Sequence, residues 1–533
     1  MAYVYSGDNP SQLYKDSLVN LMTYGGTYTP RGKEIKEIRP AIFEFTNPYN
    51  RVTFLRRINP FFQLAESWWI LSGRADVATL EKYNSNIAQF SDDGVYFNAP
   101  YGERMRTWNK NSAHNIIINP IDQLADVYLK LINDCDTRQA VISLYNPMLD
   151  NSVYTIGEQG KDICCLTGDT VIATPNGDML LKELVELVNS GKHVEVYTYD
   201  TSAFRQVVIK PVVSALLTRK NAKLVELTID NGSTIKLTPD HKVYLFDTLW
   251  LVEAEHLHCG DRLLGIDGEG HKITNINWLI EPEDVYDIEV ADTHTFYANG
   301  ILVHNCNLTM TFKIRDNRLN MTVFNRSNDI HWGLFGANLC QFSTIQETLL
   351  SFLQAHYKDL KIGTYTHVTD SLHTYTKDYS GDISPKVLTK EVPPLFTFDT
   401  EPRMSLTFED FNQLCSKYWE EIDPYMSSDE YISSLDIDSL FSKEFFIKIL
   451  EVQDKYWRMV FLSMLVYRLI KLGERVVSLF LLENYIPNSS WKVSEVYFLK
   501  KFIMSSSSDI QNKYNEITQN LTIEEPKCVE VFK

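Results

Sequence analysis

The sequence predicts an α/β chain interrupted by an all-β module and continued by a helical extension, and three changes of texture predict it. Up to residue 164, amphipathic helical stretches alternate with short strands. From Cys165 to Asn305, short strands follow one another with turn signals close together, among them Asn176-Gly177, Asn231-Gly232, Asp267-Gly268 and Asn299-Gly300. After Cys306 the mixed texture returns, and beyond about residue 380 the chain is rich in helical and aromatic segments. The expected divisions are therefore 1–164, 165–305, 306–380 and 381–533. A chain of 533 residues exceeds one ordinary core and suits about three or four domains.

In order, residues 11–24 read as a helix, and 35–45 have strand character up to the turn at Asn47-Pro48. Residues 60–73 are strongly helical, and 121–135 form an amphipathic helix leading to a strand at 140–145. Within the middle module, 194–199, 223–229, 234–237 and 285–290 fit strands, and 182–190 is its one clear helix. Residues 308–314 and 319–324 read as a hairpin across Arg315-Asp316-Asn317-Arg318, and 338–357 read as a helix. Residues 459–482 are apolar but broken by Arg468, Lys471, Glu474 and Arg475, so they read as a packed helix pair and not a membrane span.

Composition narrows the function classes. Hydrophobic residues make up 44% and charged ones 23%, an ordinary globular balance. The net charge of −18 argues against a general nucleic-acid or membrane-surface binder and leaves room for a local basic pocket. Met1 to Ser6 carry no charged lead or apolar run, so a cytoplasmic, reducing setting is expected. Cys164 and Cys165 are adjacent, which suits neither a zinc knuckle nor a C-x-x-C redox motif, and no metal is expected.

The chemistry begins at Val303-His304-Asn305-Cys306. An asparagine side-chain amide can attack its own carbonyl and release the chain beyond it. His304 is placed to donate a proton in that step, and positioned acid catalysis contributes roughly 100- to 10,000-fold. Cys306 can take over an acyl group, and Cys165 can generate one from the carbonyl of Cys164. Free thiols have pKa values near ~8.5, so these need local activation.

Four ordered blocks carry a resemblance: Cys165-Leu166-Thr167-Gly168-Asp169-Thr170; Thr238-Pro239-Asp240-His241; Val285 to Val290 with His294-Thr295-Phe296; and Asn299 to Asn305 followed by Cys306. The module resembles an intein with the horseshoe-shaped all-β fold of the Hint family. That resemblance implies that Thr238 and His241 activate the Cys164–Cys165 peptide and that Asp287 tunes the Cys306 thiol. It further implies that His304, with His294, assists cyclisation of Asn305. The 43 residues between His241 and Val285 are too few for a homing endonuclease.

The flanking parts carry a second resemblance. Pro60 to Gly73 includes Ala65-Glu66-Ser67-Trp68-Trp69; Tyr101-Gly102 follows; then come Asp136-Thr137-Arg138, Arg326-Ser327-Asn328-Asp329 and Asp370-Ser371-Leu372-His373-Thr374-Tyr375. Cys306 to Phe312 aligns with a strand that bears a nucleophile. Together they resemble thymidylate synthases and the related phage pyrimidine hydroxymethylases. The resemblance implies covalent catalysis, in which the Cys306 thiolate adds to C6 of a uracil ring and activates C5 toward methylenetetrahydrofolate.

It also implies that Glu66 organises proton transfer, that Tyr101 assists proton removal at C5, that Asp329 is catalytic, and that Arg31, Arg326 and Ser327 hold the nucleotide phosphate with Arg138 from the second copy of a homodimer. Asn338 would read the uracil edge, favouring dUMP, while His373 and Tyr375 hold the ribose. Gln139, Asn307 and the absence of two tryptophans near residues 87–91 depart from the pattern. A missing aromatic lid admits water to the methylene intermediate, which favours a deoxyuridylate hydroxymethylase over a thymidylate synthase. A splicing-dead fusion and a non-catalytic nucleotide-binding protein remain the alternatives of other classes.

Overall fold

A computed structural model describes residues 2–28, 34–91, 94–97, 99–112, 116–144, 166–189, 192, 194–200, 206–222, 224–238, 242–247, 251–254, 257–279, 283–290, 295–299, 301–304, 309–377 and 379–532. Two compact units emerge, one of residues 1–144 with 308–533 and one of residues 145–307.

The first unit is built on a mixed sheet of eight strands, counted among the described residues. Its strands are β1 (Tyr3–Gly7), β2 (Gly26–Tyr28), β3 (Ile35–Ile38), β4 (Ala41–Phe45), β5 (Val141–Ser143), β6 (Thr309–Arg315), β7 (Arg318–Asp329) and β8 (Lys361–Tyr375). The order is β1-β4-β8-β7-β6-β5, with β3 also on β8 and β2 on β3. The single strand expected over 35–45 is two, divided at Arg39-Pro40, because proline has no N–H to give the ladder. The β6–β7 hairpin turns at Asp316 and Asn317, both at positive φ (51° and 56°), as a two-residue turn with the strand twist requires. β5 and β6 lie side by side, pairing Thr309 with Ser143 and Met310 with Ile142, although 165 residues separate Ser143 from Thr309 in the chain.

The helices start where side chains cap them. α1 (Pro10–Tyr24) begins at Asn9, α2 (Pro60–Leu71) at Asn59, and α4 (Gln123–Asn133) at Asp122, each accepting from free N–H groups of the first turn. Between α2 and α4 lies the short α3 (Tyr101–Arg106). Its Gly102 is required by contact: a Cβ there would meet the Ile70 carbonyl oxygen at 2.5 Å. The helix expected from 338 starts earlier, as a wide π-type stretch over Ile330–Asn338 that runs into α5 (Leu339–Gln354).

The helical extension is part of the same core. It includes α6 (Phe408–Lys417), α7 (Lys455–Leu472), α8 (Arg475–Asn484), α9 (Ser490–Ile503) and α10 (Ser508–Glu524). Trp68 on α2 is fully buried among Phe461, Trp457, Tyr418 and Phe411, at ring-centroid distances of 4.8, 4.9, 5.2 and 5.8 Å. Arg51 and Glu347, both 2% exposed, form a buried ion pair, and Glu347 Oε1 accepts from the backbone of Met404 at 3.2 Å. α7 and α8 are the packed pair expected over 459–482, joined at Gly473 in the left-handed region (φ 98°). Among the described residues no helix is long and apolar enough to cross a membrane.

The second unit is all-β apart from Leu181–Asn189 and is organised in sheets of six and eight strands, counted among the described residues. Its buried centre includes Leu166, Val225, Leu237, Val243 and Ile288. Several strands went unread in the sequence, the two longest being Gln206–Ala222 and Gly270–Trp278. Both carry interspersed lysines and asparagines that weaken the strand signal.

Candidate functional site

In the first unit, β7 delivers the Arg326-Ser327-Asn328-Asp329 segment to the start of the π-type stretch. Asp329 caps it, accepting from His331 N at 2.7 Å and Trp332 N at 2.6 Å. Burial raises the Asp329 carboxyl pKa above its ordinary value, opposed first by the Trp332 N–H and then by His373. The parallel register sets Asp329 opposite His373. His373 is 9% exposed and held below its usual pKa by burial; its Nδ1 lies 3.4 Å from Ser327 Oγ, and its ring meets Tyr375 edge-on at 5.5 Å.

Glu66 sits on α2, whose neighbouring residues are stitched to the π-type stretch and α5. Gln63 donates to the Gly336 carbonyl at 2.8 Å, and Ser67 Oγ lies 3.5 Å from Cys340 Sγ. Burial pushes the Glu66 carboxyl up to about 7, a shift partly countered by the Gln341 amide, and its Oε2 has no hydrogen-bond partner. A carboxyl near neutrality in a dry setting is suited to proton transfer at physiological pH. Asn338 is 7% exposed and donates from Nδ2 to Gln341 Oε1 at 3.1 Å. Tyr101 opens α3 and stacks on Phe342 of α5 at 5.9 Å.

Four sequence-predicted residues, Glu66, Tyr101, Asn338 and Asp329, thus lie on α2, α3 and the β7–α5 connection, which pack together. Arg138 lies apart, exposed in the loop before β5. Cys306 and Arg31 fall outside the described residues, as does the side chain of Arg326.

Three partners were not read from the sequence. Gln341 follows Asn338 by three residues, so helical spacing could have found it. Arg56, 9% exposed, lies over the Trp332 ring at 4.7 Å with Nη1 lacking a hydrogen-bond partner, and no local pattern marks it. His331 is buried against Tyr14 and Ser384, and burial drives its pKa down to about 3, which makes it a structural neutral imidazole.

In the second unit, the strand registers draw the four blocks together. Leu166, next to Cys165, pairs with Leu237, which precedes Thr238, and with Tyr286, which precedes Asp287. His304 pairs with Thr295, which follows His294, and Val303 pairs with Val243, two residues beyond His241. Thr238 is fully buried. Asn299, at φ 47°, accepts from Val171 N at 2.6 Å and donates to Thr234 O at 2.7 Å, pinning the turn before the last strand. Cys165, His241, His294 and Asn305 lie outside the described residues, as do the side chains of Asp287 and His304.

Comparison with known proteins agrees with both halves. The Thymidylate synthase family model matches residues 13–154 and 293–421, and that of the Pretoxin HINT domain matches residues 182–306. A deoxyuridylate hydroxymethyltransferase of Bacillus phage SP01 is 33% identical over 514 residues, covering 94% of this chain and 94% of its own. A second one, of Delftia phage PhiW-14, is 32% identical over 174 residues, 30% of this chain and 45% of its own. A crystal structure of a DnaB intein from Synechocystis sp. PCC 6803 is 22% identical with a TM-score of 0.24, covering 27% of this chain and 98% of its own. On the near full-length match and the two-part family match, the chain belongs to the thymidylate synthase family, interrupted by an intein-type Hint module.

Proposed function

We propose that the chain is a self-splicing precursor whose joined product is a deoxyuridylate hydroxymethylase. The product would transfer a one-carbon unit from methylenetetrahydrofolate to C5 of dUMP. The observation that carries this reading is the alignment over 94% of both chains with the phage hydroxymethyltransferase.

In the insert, Cys165 attacks the preceding carbonyl, Thr238 and His241 assist, and the acyl group passes to Cys306. Asn305 then cyclises with His304 and His294, while Asp287 acts on the Cys306 thiol. A final shift makes the Cys164–Cys306 peptide. In the joined enzyme Cys306 adds to C6 of dUMP, and the resulting enolate takes the methylene group. Loss of the C5 proton expels tetrahydrofolate and leaves an exocyclic methylene, water adds to that carbon, and departure of the Cys306 thiolate from C6 releases hydroxymethyl-dUMP.

Glu66 manages the protons with Tyr101 and Asp329. Asn338 reads the uracil edge, His373 and Tyr375 hold the ribose, and Arg31, Arg326 and Ser327 hold the phosphate. Arg138 completes the phosphate site from a second copy of the chain. An apolar row across the open sheet face supports the dimer: Val4, Ile42, Val368 and Phe324 are register neighbours on β1, β4, β8 and β7, with Val4 59% and Phe324 45% exposed and Ile42 and Val368 half-buried. The setting is the cytoplasm of an infected bacterial cell.

Incubating the spliced protein with dUMP and methylenetetrahydrofolate tests the reading. Tetrahydrofolate with hydroxymethyl-dUMP supports it, dihydrofolate with dTMP replaces it by thymidylate synthesis, and no turnover overturns the enzyme.

A further inference from the structure

We infer that Gln341 is a positioning residue that couples the protonation of Glu66 to the orientation of the Asn338 amide, and thereby to the choice of a uracil over a cytosine ring. The inference rests on the dUMP reading given above.

The three side chains line the seam between α2 and α5, Gln341 and Asn338 buried and Glu66 half-buried. Gln341 is 5% exposed and Asn338 7%, and Asn338 Nδ2 donates to Gln341 Oε1 at 3.1 Å. Ser67 Oγ lies 3.5 Å from Cys340 Sγ, which brings the neighbouring Gln341 to the turn of α2 that bears Glu66, and the Gln341 amide counters the effect of burial on that carboxyl. The Cys340 thiol beside Gln341 feels both the Glu66 carboxyl and the Arg51 guanidinium. Arg51 is committed to Glu347 and Thr344, and Cys340 to Ser67.

An ionised carboxylate only accepts hydrogen bonds, so Gln341 must turn its NH2 toward Glu66. Its carbonyl oxygen then faces Asn338 and can only accept, which fixes the Asn338 amide with Nδ2 toward Gln341. Asn338 keeps its Oδ1 and one N–H for the ligand. That pair matches the N3–H and O4 of uracil. Cytosine offers the reverse, an acceptor at N3 and a donor at C4, and would need Asn338 flipped. A flipped Asn338 would set its Oδ1 against Gln341 Oε1, two acceptors facing each other in a buried site. The choice of base is thus enforced one residue behind the reader.

Two variants of the spliced enzyme separate the two ends of the chain. Gln341→Met removes both polar groups. The acid limb of kcat/KM, followed by tritium release from C5-labelled dUMP, is expected to rise by about one pH unit. Equilibrium binding should lose roughly tenfold of its preference for dUMP over dCMP. Gln341→Glu keeps an acceptor toward Asn338 but sets a second carboxyl against Glu66, so the limb should rise while the preference is retained. Loss of rate in both variants with the limb and the preference unmoved makes Gln341 merely structural and overturns the inference. A wild-type protein that binds dUMP but releases no tritium overturns the enzyme reading instead, and the binding preference of Gln341→Met still decides the role of Gln341.

Discussion

Ser143 and Thr309 are direct partners in neighbouring antiparallel strands, joined in the sheet across the site of the insertion. The strands on either side of the insert are therefore already paired in the uncleaved chain. The expected products are a 392-residue joined chain, residues 1–164 with 306–533, and a 141-residue insert. Intact-mass spectrometry checks this, and a Cys165→Ala/Asn305→Ala variant should remain a single 533-residue species with the far-UV signature of a folded protein.

On the proposed function the thiol at position 306 acts twice, first in splicing and then on the pyrimidine. In a host chain expressed without the insert, Cys306→Ser should bind dUMP yet lose turnover by about a thousandfold or more, because the hydroxyl is a far weaker nucleophile. Turnover within tenfold of wild type would remove Cys306 from the chemistry.

Stability should fall at both ends of the pH scale. Burial raises Glu66 to about 7 and Glu495 to about 8, so each favours the fold fully below its unfolded value of 4.5 and loses that contribution as pH rises through about 7 and about 8. His331 and His367 are held down to about 3 by burial, so their contribution is present above 6.5 and is lost as pH falls toward about 3. Glu495→Gln isolates the alkaline side: it should gain about 2–4 kcal/mol over wild type at pH 9 and almost nothing at pH 5. Urea denaturation at the two pH values measures it, and equal gains at both would rule out titration of Glu495.

Glu347→Ala leaves the Arg51 guanidinium unpaired where both side chains are 2% exposed. It also removes the acceptor for the Met404 N–H. A loss of about 3–5 kcal/mol is expected from equilibrium denaturation. Arg51→Met/Glu347→Leu together should cost much less than the single change, since neither charge is then stranded.

Phe324→Asp places a charge at the exposed β7 end of the Val4–Ile42–Val368–Phe324 row. Sedimentation of the spliced protein is expected to move from dimer to monomer, with phosphate affinity falling because Arg138 no longer arrives from the second copy. An unchanged dimer would place the interface elsewhere.

What could be read in advance follows from how locally each feature is encoded. The capped helices α1, α2 and α4 announce themselves by Asn9, Asn59 and Asp122 just before an apolar periodicity. β8 and Gln206–Ala222 do not, because paired strands on both sides supply the partners that their mixed residues fail to advertise. Asp329 and Asn338 belong to a contiguous segment and were legible from it. Arg56 comes to Trp332 from 276 residues away in sequence, and only packing brings them together. The π-type stretch over Ile330–Asn338 depends on Asp329 capping its entry, a tertiary outcome with no periodic signal.

Because Trp68 is gripped from behind by Phe411, Tyr418, Trp457 and Phe461, the last quarter of the polypeptide backs the helix that bears Glu66. Trimming that tail to obtain a shorter catalyst would leave the helix under Glu66 without its backing. Any effort at miniaturisation has to begin by rebuilding an aromatic socket for one indole ring.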